Sequence, residues 1–139
     1  MKTYASSYVV ALAALLGLDA VWLSTMAERF YRPMLGDLLA RDFEVLPALL
    51  FYALYVFGVV FLAVVPALRL GGWRTALING AVLGLVAYGT YDLTNQATLR
   101  NWPAIVTALD LAWGTFLTSA SSVAGYFAGK ATFGAGATR

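Results

Sequence analysis

Hydrophobic residues gather along the chain into four runs, covering residues 4–26, 46–68, 77–99 and 104–127. Each is close to the roughly 20 residues an α-helix needs to cross a hydrocarbon core. Arg69-Leu-Gly-Gly-Trp73-Arg74 separates the second run from the third, and Arg100-Asn-Trp102-Pro103 the third from the fourth. Both read as tight reversals: Pro opens a helix without strain, and Trp suits the headgroup level. The first connection is longer. In it Tyr31, Pro33, Met34, Leu35, Leu38 and Leu39 are spaced among Arg32, Asp37 and Arg41, the pattern of a short helix lying on the bilayer surface. The pattern predicts an all-α membrane protein: an antiparallel bundle of four transmembrane helices, with a short interfacial helix between helices 1 and 2. The Gly-, Ala- and Thr-rich tail after Lys130 predicts a frayed end.

Composition sharpens this picture. Of 139 residues, 61% are hydrophobic and 12% charged, against about a quarter charged in soluble domains. Residues 1–139 therefore read as one integral membrane domain whose first partner is the lipid bilayer. The first run is read as a permanent helix and not a signal peptide, because it is long and carries Asp19. The absence of Cys and His excludes disulfides, thiol or histidine catalysis and the usual zinc and haem ligation, so no cofactor is expected. The nine Lys and Arg residues are scattered, which argues against nucleic acid as a partner. Their distribution bears on topology. Lys2, Arg69, Arg74, Lys130 and Arg139 fall on one side, and Arg29, Arg32, Arg41 and Arg100, offset by four acidic residues, on the other. The positive-inside rule then predicts both termini in the cytoplasm.

The chemistry lies in the polar residues inside the runs. Nothing in a bilayer solvates a bare carboxylate, yet Asp19, Asp92 and Asp110 all sit within predicted spans. Stepping by four along the third run gives one stripe, Gly80, Gly84, Tyr88, Asp92 and Gln96, with Asn95 beside it. The glycines invite close approach of another helix, so the polar end should face an enclosed space. At 1.5 Å per residue the three aspartates lie about 10 Å below the outer boundary, with Tyr52 and Tyr55 at nearly the same depth. Asp19, Asp92, Asp110, Asn95, Tyr88 and Tyr52 are thus the expected proton- or ligand-binding residues, with Trp22, Trp113, Tyr55 and Tyr91 as pocket walls. The same counting puts Trp22 outward of the carboxylates and Trp113 inward. No metal site is firmly expected; were a hard cation bound, Asp19, Asp92 and Asp110 would be its ligands. The plainer reading is that the carboxyls only lock helices together and the aromatic residues only pack. Such polar pairs are often worth under about 1 kcal/mol, a modest return for groups so costly to bury.

The run Tyr91-Asp92-Leu-Thr-Asn95-Gln-Ala97-Thr-Leu99-Arg-Asn-Trp102, followed by Asp110-x-x-Trp113-Gly114 and preceded by Leu18-Asp19-x-x-Trp22-Leu, resembles a bacterial family of predicted four-span inner-membrane proteins of unknown function. The resemblance implies the same helix count and no established activity. It also implies a setting beside lipid-modifying enzymes, one of which is an expected partner. Three functions fit the residues. The first is a carrier or binder of protons, a cation or a cationic amphiphile through an outward-facing acidic pocket, for which a homodimer is the expected assembly. The second is a membrane enzyme working on lipid or acyl chains by carboxylate acid–base chemistry. The third is a non-catalytic scaffold for a lipid-modifying enzyme.

Overall fold

The computed structural model describes residues 2–40, 42 and 44–136. Arg41, counted above among the loop cations, and the last three residues lie outside them. All regular structure among the described residues is helical. Helix α1 (Lys2–Met26) passes through a π-helical turn (Ala27–Tyr31) into a short α2 (Arg32–Leu35) and a 3-10 turn (Gly36–Leu38). Gly36 ends α2 in a backbone conformation with φ of 49° that favours a residue without a Cβ. Helix α3 (Val45–Val59) continues through π-helical turns at Val60–Val64 and Ala67–Gly71 into α4 (Gly72–Thr98). Helix α5 (Ala104–Gly136) completes the chain. It runs past the expected span end at residue 127 and through much of the tail expected to fray, because no proline interrupts it.

Among the described residues three helical stretches are long and apolar enough to cross a membrane: Lys2–Leu38, Val45–Thr98 and Ala104–Thr132. The middle one is broken. Gly72 takes φ 71° and ψ −173°, conformations open to glycine and outside any helix. Beyond it the chain folds back, so that Asn79 Nδ2 donates to the carbonyl of Leu62 at 3.1 Å.

The packing follows membrane logic more than that of a soluble core. Large apolar side chains such as Leu54, Phe57, Phe61 and Val82 point outward. The interior holds small and hydroxylated residues, among them Ser7, Thr118, Ser121 and Ser122, beside an apolar cluster of Ala11, Leu15, Val56, Val59, Val64 and Leu117. With lipid as solvent there is no hydrophobic gain from helix contact, so association relies on close approach of small residues. The most extensive pairing is α4 against α5. There a Cβ at Gly84 would meet the Gly114 carbonyl and Thr118, and one at Gly80 would meet Ser122 and the Thr118 carbonyl. Helix α1 docks on the other side of α5, where Gly125 leaves room for Ala11 and the Ser7 carbonyl. Two interior hydroxyls are satisfied within α5: Thr118 donates to the Gly114 carbonyl at 2.7 Å and Ser122 to that of Thr118 at 2.7 Å, while those of Ser7 and Ser121 have no partner among the described residues.

Candidate functional site

The glycine stripe of α4 sets up the site. Gly80 and Gly84 seat α4 tightly on α5, and the next residue on that ridge, Tyr88, carries its ring over Gly114, where any Cβ would collide with it. This gives a physical reason for glycine after Trp113. One turn further, Asp92 is 0% exposed and meets the carboxyl of Asp110 on α5.

Each carboxyl has a different environment. Asp19 accepts a hydrogen bond from the Tyr52 hydroxyl at 2.6 Å. Asp110 accepts one from the Tyr31 hydroxyl, which in turn accepts from Trp22 Nε1 at 3.0 Å. Neither oxygen of Asp92 has a donor among the described residues, although both are buried. The neighbouring acid is Asp110 on α5, and no hydrogen bond joins the two carboxyls. Two carboxyls can hydrogen-bond to each other only if one carries a proton. Tyr55 joins the inner edge of this layer, donating to Thr118 Oγ1 at 2.7 Å while Thr118 donates to Gly114.

Asp19 and Asp110 open into one cavity of about 580 Å³, walled also by Trp22, Trp113, Tyr31, Tyr88 and Tyr91 and rimmed by Leu35, Leu39 and Ala40. The volume lies within the roughly 300–1,000 Å³ of ligand pockets. Four acidic residues (Asp19, Asp42, Glu44 and Asp110) and one basic residue, Arg32, line it. Arg32 is engaged with Glu28 at 3.0 Å, so the cavity's field is negative.

The residues singled out from sequence are distributed as follows. Asp19, Tyr88, Asp110, Trp22, Trp113 and Tyr91 line the cavity, and Asp92 lies behind Asp110. Tyr52 supports Asp19 from outside the cavity wall. Asn95 does not line the cavity; its backbone carbonyl accepts the Leu99 N–H that closes α4. Tyr91 packs edge-on to Trp102 at 6.0 Å. Trp22 and Trp113 stack face to face, centroids 4.2 Å apart and planes 9° apart, so they form one wall. Among the described residues no group of three or more Asp or Glu side chains is arranged to hold a metal ion.

Two participants are not singled out by sequence. Thr118 is hidden within the small-residue face of α5. Tyr31 lies nine residues after Trp22, about two and a half α-helical turns and therefore on the opposite face. The π-helical turn at Ala27–Tyr31 inserts an extra residue and changes that register, bringing the phenol back to Trp22.

Apolar helices that turn their large side chains outward and enclose carboxyls, phenols and indoles define an integral membrane protein with an internal polar site. Residues 4–127 match the model of the family described as "Predicted membrane protein (DUF2177)", and the chain belongs to that family. The family's function is unknown. No curated protein and no solved structure matches the chain.

Proposed function

We propose that this protein binds, and as a carrier exchanges, a small organic cation for the proton shared by Asp92 and Asp110. The observation that carries this reading is Asp92: fully buried, with no donor for either oxygen, and beside a second carboxyl. A bare carboxylate so placed costs several kcal/mol, and two side by side cost more. One proton held between them removes both penalties and makes a charge-assisted hydrogen bond. A cation in the acidic cavity beside Asp110 makes the proton dispensable and releases it. The groups facing the pair are Tyr31, Asp19 and Tyr88, of which Tyr31 donates to Asp110 in either state. The flat indole wall suits an organic cation better than a hydrated metal ion.

Linkage gives the pH dependence. If binding releases one proton, affinity rises as the proton becomes scarcer. The Kd for tetramethylammonium, measured on the protein in lipid nanodiscs, is expected to fall about tenfold per unit rise in pH while the pair holds its proton. A Kd flat with pH, or one rising with it, would contradict the exchange.

The chain sits, on this reading, in a bacterial cytoplasmic membrane and crosses it four times, with Val45–Thr98 accounting for two crossings. Supporting the double crossing are the break at Gly72 and the Asn79–Leu62 hydrogen bond. A straight helix of 54 residues would extend about 80 Å, well over twice a hydrocarbon core of roughly 30 Å. Both termini face the cytoplasm, and Ala27–Leu38 lies at the outer interface over the cavity mouth. In the cysteine-free chain, Leu70→Cys is expected to react with a membrane-impermeant maleimide from the cytoplasmic side only. Labelling from outside would invert the topology, and no labelling from either side would mean a single crossing.

A further inference from the structure

The acidic cavity does not end at its polar walls. Tyr88 and Tyr91 line it on one side and, on the other, line a second cavity of about 290 Å³ completed by Phe51, Tyr55 and Ala87. This second space lies between α3 and α4 and is bounded almost wholly by apolar atoms. Its rim is lipid-facing: Phe51 is 47% and Tyr91 62% exposed, and Leu50 and Leu54 beside Phe51 also point outward. A site for a small hydrophilic cation has no need of an apolar annex opening toward hydrocarbon. A negative chamber joined to such an annex matches an amphiphile instead, with its charge in the chamber and its chain in the groove.

We infer that the ligand is a single-chain cationic amphiphile, an alkyl ammonium. Its head lies near Asp19 and Asp110, and its chain passes Tyr88 and Tyr91 into the Phe51–Tyr55–Ala87 groove and so to the bilayer. The inference rests on the acidic-cavity reading and adds the ligand class and its route. The chain gains little hydrophobic energy by leaving lipid for the groove, because the two are equally apolar. Its contribution is to concentrate the ligand in the membrane and deliver it laterally, while recognition stays with the charged head.

The test uses dodecylammonium carrying a mid-chain diazirine, irradiated with the full-length protein in nanodiscs and mapped by mass spectrometry. Cross-links are expected to concentrate on the segments holding Phe51–Tyr55 and Ala87–Tyr91. Ala87→Trp, which fills the groove, should reduce them at least tenfold. Tetramethylammonium, which has no chain, should still bind this variant as it binds the wild type. Ala87→Leu, a smaller filling, provides the same comparison should the tryptophan variant misfold. Cross-links spread evenly over the lipid-facing surface, or undiminished in both variants, would overturn the groove while tetramethylammonium binding keeps the acidic cavity. Absence of tetramethylammonium binding to the wild type, with groove labelling indifferent to Asp110→Asn, would overturn the cavity and the placement of the head with it.

Discussion

Asp110→Asn is expected to weaken tetramethylammonium binding roughly thirtyfold while the protein stays folded. Asp110 is the carboxyl that both lines the cavity and meets Asp92, so its charge acts on the cation directly. A charged hydrogen-bonding partner is worth about 1.5–3 kcal/mol, and 1.4 kcal/mol is a factor of ten in Kd. The amide keeps an oxygen for the Tyr31 hydroxyl and offers Asp92 an N–H donor, so the site stays assembled. With the shared proton gone, the remaining affinity should also lose its pH dependence. Titration calorimetry on both proteins, with circular dichroism as the folding control, provides the comparison. Unchanged affinity in a folded Asp110→Asn protein would remove Asp110 from the site.

Gly84→Leu is expected to have the largest effect on stability. A Cβ alone at this position would collide with the Gly114 carbonyl, a backbone atom that cannot move without displacing α5, and with Thr118. Overpacking a close interface costs about 1–3 kcal/mol and occasionally more, and here the whole α4–α5 contact must open. Because Tyr88 and Asp92 continue the same ridge, the collision would also pull the site apart. Gly58 is the matched control: nothing lies within 4 Å of a Cβ there, so Gly58→Leu should be close to neutral. Detergent-induced unfolding should show a much lower midpoint for Gly84→Leu alone. Similar midpoints for the two variants would mean that close approach at Gly84 is dispensable.

The all-helical, membrane-embedded character is legible because spans are written in long apolar runs, whereas the second and third runs join in one helical stretch, Val45–Thr98; charge inside such a run is costly, which marks the polar residues. Counting residues puts Asp19, Asp92, Asp110 and Tyr52 at one level, and the glycine stripe aims Asp92 at a close contact with another helix. Depth alone does not say which groups pair. The donors assigned to Asp19 and Asp110, and the absence of one for Asp92, depend on rotations that no spacing rule gives. Tyr31 was illegible for a sharper reason: the π-helical turn shifts its face, and no residue in Ala-Glu-Arg-Phe-Tyr announces such a turn. Asn95 shows the opposite failure, since neighbouring Asp92 on the helix face did not bring it into the cavity wall.

The shared proton is the centre of this account, and infrared difference spectroscopy observes it directly. In protein reconstituted at neutral pH, adding tetramethylammonium should produce the loss of one protonated-carboxyl C=O stretch, shifted in D₂O and missing from the spectra of both Asp92→Asn and Asp110→Asn. A wild-type spectrum with no such band, or a band that survives both substitutions, would contradict the proton-sharing pair.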